Sequence, residues 1–164
     1  MPNRPTHLDE HGAPRMIDVS AKESTRRRAV ATGRIRMSPA TVDAIVEGTG
    51  PKGDVLQVAR LAGIMGGKRT GDLIPLCHVL PDASVEVDVR VDRDLPGVVA
   101  RAEATVTGRT GVEMEALTAV SVALLTIYDM VKALDRGMVL EEIRLIRKEG
   151  GRSGVWDTGA EPGG

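Results

Sequence analysis

The chain has 164 residues, with 22 Lys and Arg against 23 Asp and Glu, one cysteine and two aromatic side chains, Tyr128 and Trp156. That length fits one domain with a real core. The near-neutral balance excludes a general nucleic-acid-binding surface, which needs many unopposed cations, and the scarcity of aromatics excludes a base-stacking platform. Cys77 stands alone, which excludes an internal disulfide and a Cys-rich zinc site and fits a reducing compartment. No stretch reaches the roughly 18 apolar residues of a membrane helix, and the polar N-terminus carries no signal-peptide apolar region, so a cytoplasmic location is expected.

Residues 1–15 are polar and hold three prolines, and residues 155–164 are polar and glycine-rich. Both read as flexible arms on a single domain spanning residues 1–164. Arg28 to Met37 alternates loosely and predicts a strand. Ser38-Pro39 is a helix-start signal, and Val42, Ile45 and Val46 follow at helical spacing until Gly48 stops them. A second helix begins near Gly53-Asp54 and runs into the glycine-rich stretch GIMGGKRTGD. Ser84 to Val91 alternates valine with charge at period two, a half-buried strand; Pro96-Gly97 turns the chain, and Val98 to Gly108 returns. A helix of about 23 residues, Val112 to Leu134, comes next, and Met138 to Arg147 closes the set as a strand. This order matches an α+β, ferredoxin-like split βαβ sandwich, an antiparallel sheet covered by helices on one face.

The long helix carries Leu117, Val120, Leu124, Ile127, Val131 and Leu134 as one apolar stripe for the sheet. Asp129 and Lys132 lie away from it, on a face shared with Thr118, Val122 and Leu125. Residues 116–128 contain no charge at all. A second covered face follows, under another helix or another subunit, and a homo-oligomer is expected. At the rim of such an interface, Asp129 and Lys132 are either an ordinary surface pair or an acid/base pair tuned by partial burial.

Other segments are also able to carry chemistry. Gly66-Gly67-Lys68-Arg69-Thr70 lacks the Walker spacing, leaving either an anion-holding basic turn or a helix C-cap. Cys77 and His78 are adjacent and point oppositely in extended chain, which disfavours a shared metal; His78 suits a substrate hydrogen bond. Glu113 and Glu115 open the long helix, where the macrodipole favours carboxylates, and either is able to accept from a heterocycle's N–H groups. The chain has five lysines and seventeen arginines. Lys52, Lys68 and Lys132 fall in these segments, and lysine, unlike arginine, can exchange a proton near neutrality.

The segments MIDVSAKESTRR, KGDV, ARLAGIMGGKRTGDLIPLCHVL, TGVEMEALTAVSVALLTIYDMVKAL and GGRSG together closely resemble the cyclic pyranopterin monophosphate synthase family, the molybdenum cofactor biosynthesis protein C family, over about residues 15–154. The resemblance implies conversion of 3′,8-cyclo-7,8-dihydro-GTP to cyclic pyranopterin monophosphate with release of pyrophosphate, hence a phosphorus–oxygen lyase. It implies a hexamer, a trimer of dimers with sites at the dimer interface. No metal ligands and no cofactor are implied beyond magnesium that could accompany the triphosphate. On the matching motifs, Asp129 and Lys132 correspond to the catalytic carboxylate and lysine, and Lys52 to a catalytic lysine expected from the partner subunit. Leu76, Cys77, His78, Glu113, Met114 and Glu115 correspond to substrate contacts, Lys68 to a basic turn and Arg152 to a phosphate contact. Gly66-Gly67 replaces the usual alanines, Val79 the usual proline, and Arg152 the usual lysine. The alternative is a non-catalytic nucleotide-binding oligomer using the same charges.

Overall fold

The computed structural model describes residues 7–159. In chain order it holds β1 (Thr25–Arg36), α1 (Pro39–Glu47), α2 (Val55–Lys68), the short α3 (Thr70–Leu73), β2 (Ser84–Asp92), β3 (Gly97–Gly108), α4 (Glu113–Val131), β4 (Val139–Glu149) and β5 (Trp156–Asp157). The strands form one antiparallel sheet in the order β2-β3-β1-β4-β5. Helices α2 and α4 pack on each other and on the same sheet face. This is the ferredoxin-like α+β sandwich expected from the element order, with one extra edge strand.

Local chemistry sets the helix ends. Ser38 Oγ accepts from the Thr41 N–H at 3.2 Å, Pro39 sits at the first turn, and Gly48 closes α1 with φ 67°. Asp54 Oδ1 accepts from the Gln57 N–H at 3.1 Å and starts α2.

On β1, Ala29, Ala31 and Ile35 are fully buried and face the helices. Gly33 shares that face because a Cβ there would stand 2.8 Å from Val120 and 3.0 Å from Leu124 of α4. The alternate residues face the other way, with Val30 opposite Glu103 and Thr32 opposite Arg101, among arginine–carboxylate pairs. Arg28 grips Glu103 with two hydrogen bonds, at 2.6 and 2.7 Å, and Glu149 with a third at 2.9 Å. The stems of such side chains exclude water from the sheet while their charged ends stay wet.

The structure corrects several expectations. Of the two readings of the glycine-rich stretch the helix end holds: α2 runs through Gly63, Gly66 and Gly67, which are buried, to Lys68 and ends on Arg69. A Cβ on Gly63 would stand 2.9 Å from the Ala119 carbonyl, and one on Gly67 3.1 Å from the Glu115 carbonyl. These glycines are used for close helix approach, not for flexibility. Helix α2 thereby covers the Thr118 and Val122 part of the uncharged face of α4, while Leu125 on the same face stays exposed. Leu134 lies beyond the end of α4 and is half exposed. Strand β1 starts three residues earlier than Arg28, and β4 runs on to Glu149 with register shifts against β1.

Neither arm is featureless where it is described. Trp156–Asp157 adds to the edge of β4, and Asp9 Oδ1 accepts from His11 and Ala13 in a tight turn. The outer parts of both expected arms, residues 1–6 and 160–164, lie outside the described residues. By length and composition α4 is apolar enough to cross a membrane. Its Val120, Leu124, Ile127 and Val131 are fully buried among sheet and helix, which makes it a core helix.

Candidate functional site

Helices α2 and α4 run antiparallel: Gly67, near the end of α2, touches Glu115 at the start of α4, and the loop before α2 meets the last turn of α4. Site residues therefore collect at two opposite ends of α4. Sixteen residues separate Glu113 from Asp129, a rise of about 24 Å.

At the C-terminal end, Asp129 holds two lysines. Lys52 Nζ lies 2.6 Å from Oδ2, and Lys132 Nζ lies 2.8 Å from Oδ1. Lys132 is the helix C-cap, placed by its N–H donating to the Tyr128 carbonyl at 2.9 Å. Lys52 comes from the loop between Gly48 and Asp54. The resemblance implied a partner's lysine here; the chain's own Lys52 makes the contact. All three side chains are about half exposed, with accessibilities of 49, 51 and 55% for Lys52, Lys132 and Asp129. Hydrogen bonds from Lys132 and then Lys52 hold the Asp129 carboxyl down to about 2. The cluster thus presents two ammonium donors organised by one carboxylate that does not itself take up a proton near neutrality.

At the N-terminal end, Ile74, Leu76, Cys77, His78, Glu113 and Met114 line an open cavity with Ile17 and Val19. Leu76 turns the loop with φ 53°, an uncommon conformation for a branched side chain, so the segment is held by its surroundings. His78 Nε2 lies 2.9 Å from the Ile17 carbonyl. A carbonyl only accepts, so Nε2 carries a proton and donates it to Ile17.

Glu115 is 3% exposed and its Oε2 has no hydrogen-bond partner. Burial pushes its carboxyl up, and burial together with Glu115 and Glu113 pushes the Cys77 thiol up. The thiol is therefore a neutral wall group and not an activated nucleophile. Among the described residues, no three His, Cys, Asp or Glu side chains gather as metal ligands.

Beside this cavity runs a cationic cleft lined by Lys22, Arg27, Arg28, Arg109, Glu113, Lys148 and Glu149. Sequence reasoning missed Lys22, Arg27, Arg109 and Lys148 as a group because they are scattered along the chain. They converge because β1 is hydrogen-bonded to both β3 and β4, with Arg27 opposite Val106 and Arg28 opposite Glu149. The signal available was the rarity of lysine, since Lys22 and Lys148 are two of only five.

The two cations singled out from sequence lie elsewhere. Lys68 Nζ donates to the Ala83 carbonyl at 3.1 Å, fastening the end of α2 to the approach to β2. Arg152 is exposed on the bend after Gly151 and lies outside the cleft lining.

Residues 16–151 match the MoaC family. The chain is 62% identical over 151 residues to the cyclic pyranopterin monophosphate synthase of Novosphingobium aromaticivorans, covering 92% of this chain and 95% of that relative. It is 59% identical over 155 residues to the protein of the same name from Cereibacter sphaeroides, covering 94% and 98%. Against the Brucella ovis protein of that name the identity is 56% over 156 residues, covering 95% and 94%. The match takes in every strand from β1 to β4, the loop that carries Lys52, and both ends of α4, and on that ground the chain belongs to the MoaC family.

Proposed function

We propose that this chain is a cyclic pyranopterin monophosphate synthase, a phosphorus–oxygen lyase of molybdenum cofactor biosynthesis acting in the cytoplasm. Its substrate is 3′,8-cyclo-7,8-dihydro-GTP, and it needs no resident cofactor. The observation that carries the reading is the Lys52–Asp129–Lys132 cluster, two lysine amines 2.6 and 2.8 Å from one carboxylate. The relatives' shared name gives that cluster a reaction to perform.

The two halves of the site lie at opposite ends of α4, so one copy does not bring them together. A second copy supplies the missing half, placing the Lys52–Asp129–Lys132 cluster of one protomer against the other's Leu76–His78 cavity. Three such dimers make the hexamer. Val58, Leu61 and Met65 of α2 and Leu125 of α4 are between 42 and 59% exposed, which supports burial of this helical face in the assembly.

In the reaction, Glu115, Met114, Cys77 and His78 hold the heterocycle, with Leu76 closing the loop side. Lys52 and Lys132 deliver and collect protons as the purine-derived ring opens and recloses as a pterin. Asp129 keeps both amines in place. A ribose-derived hydroxyl then attacks the α-phosphorus; the new P–O bond forms as the α–β bond breaks, the hydroxyl proton passes to the lysine that gave up its own proton in the ring step, and the electron pair leaves with pyrophosphate. Lys22, Arg27, Arg109 and Lys148 neutralise the charge that develops on the leaving group, with Lys68 and Arg152 as outlying cations.

The test is incubation with the cyclised GTP and measurement of both pyrophosphate and pterin. Lys52→Ala and Lys132→Ala should each abolish turnover while the assembly elutes at an unchanged size. Near-normal turnover in either variant removes the lysine assignment, and ligand binding without pyrophosphate release in the unaltered protein favours a non-catalytic binding oligomer.

A further inference from the structure

We propose that Glu113 is a displaceable internal counter-ion: in the free protein its carboxylate takes the place of a ligand phosphate on Lys148, and phosphate binding releases it to the heterocycle cavity. The proposal rests on the functional reading above and adds a coupling between the two ends of the substrate.

Glu113 lines both the cationic cleft and the heterocycle cavity, as do Lys22, Thr110 and Gly111, and it is the one carboxylate on this shared wall. Its Oε1 lies 3.0 Å from Lys148 Nζ, with side-chain accessibilities of 30 and 34%, so the pair is partly shielded. The other carboxylate of the cleft is committed elsewhere: Glu149 is tied to Arg28 and to Arg147. Arg28 is itself spent on Glu103 and Glu149. Among the described residues, Lys22, Arg27 and Arg109 form no ion pair. The cleft is thus a set of cations in which Glu113 alone supplies a carboxylate that no arginine holds.

The two partners also differ in how they are held. Lys148 stands on β4, between β1 and β5, paired with Ala29 on one side and Trp156 on the other. Glu113 is the first residue of α4, behind an N-cap, Val112, that makes no side-chain hydrogen bond. Its carboxylate folds back over Gly111, where any Cβ would overlap it. The Lys148 backbone is thus held on both sides, and the one ion pair of the Glu113 carboxylate among the described residues is with Lys148.

A phosphate group carries more charge than a carboxylate and has acceptors for several cations at once, so it displaces Glu113 from Lys148. The freed carboxylate is then available to N–H donors of the ring in the adjoining cavity. After the α–β bond breaks, Glu113 competes for Lys148 again and speeds departure of pyrophosphate. Tight binding of the triphosphate end is in this way made conditional on a ring that can use the released carboxylate.

Pyrophosphate binding by calorimetry tests this on the full-length protein. Removing the internal competitor with Glu113→Gln, which keeps the side chain's shape, should tighten pyrophosphate about fivefold, the scale of one partly exposed ion pair. In a Lys148→Met background the same change should have no effect. With substrate, Glu113→Gln should lower kcat more than it alters KM. Glu113→Asp, too short to span the same gap, provides a second variant with the same expected sign if the first fails to fold.

Pyrophosphate affinity that is unchanged or weaker in the folded Glu113 variants overturns the proposal. So does an equal effect with and without Lys148. If instead pyrophosphate tightens as expected but the unaltered protein does not release it from the cyclised GTP, the functional reading fails and the counter-ion stands.

Discussion

Gly63→Ala measures the helix contact on which both ends of the site depend. A Cβ there would lie 2.9 Å from the Ala119 carbonyl and 3.2 Å from both Ala123 Cβ and Val87 Cγ1. The nearest atom belongs to the backbone of α4, which is wedged between the sheet and α2, so no rotamer change relieves it. Helix α2 must back away by roughly half an ångström to restore ordinary contact. On propensity alone, alanine in place of a mid-helix glycine stabilises by about 1 kcal/mol. Overpacking costs about 1–3 kcal/mol, and a backbone clash belongs at the upper end of that range. The net expectation is a loss of about 1–2 kcal/mol, a fall in melting temperature of about 2–8 °C for a chain of this size. Urea unfolding followed by circular dichroism, at fixed protein concentration, reads the change as a lower midpoint with unchanged slope. Gly137→Ala, in the turn before β4, whose Cβ would meet nothing closer than Asp135 Oδ1 at 3.5 Å, serves as a control for an added methyl without a clash. A midpoint for Gly63→Ala that is unchanged or raised refutes the close approach of α2 and α4.

Asp129 should protonate near 2, well below its ordinary 3.8, in a carbon-13 carboxyl titration. Because the folded value is depressed, the stabilising effect of its pairing is complete above the ordinary value and fades as pH falls from 3.8 toward about 2. A midpoint at 3.8 would show that the lysines do not hold it, and any loss of turnover on mild acidification belongs to another group. Arg109→Ala should raise KM for the cyclised GTP by about tenfold and leave the melting temperature within a few degrees, since a charge-assisted phosphate contact contributes about 1.5 kcal/mol or more. An unchanged KM would place the triphosphate outside the cleft.

Much of the fold was legible because it is written in local chemistry. Ser38-Pro39 and Gly48 bound α1 where capping rules put them, and Asp54 starts α2. Valine alternation marks β2, and the order of elements gives the sandwich. What misled were the glycines of α2. In sequence, Gly63, Gly66 and Gly67 look like breaks in a helix, since nothing local distinguishes flexibility from room for a neighbour. Only the packed α4, with Ala119 and Ala123 pressed against them, gives their reason.

The candidate site divides along the same line. Sequence by itself determined the Asp129–Lys132 pair, since i and i+3 on a helix are neighbours by geometry, and it marked the Leu76–His78 and Glu113–Glu115 segments through motif resemblance. Only the tertiary structure decided that this chain's own Lys52 joins Asp129, across 77 residues of sequence. It likewise assembled Lys22, Arg27, Arg109 and Lys148 into one cleft beside Glu113. The physical reason is that such charges carry no local periodicity. Their proximity is set by strand order and by the antiparallel course of α2 and α4, which also leaves the two halves of the site about 24 Å apart along one helix.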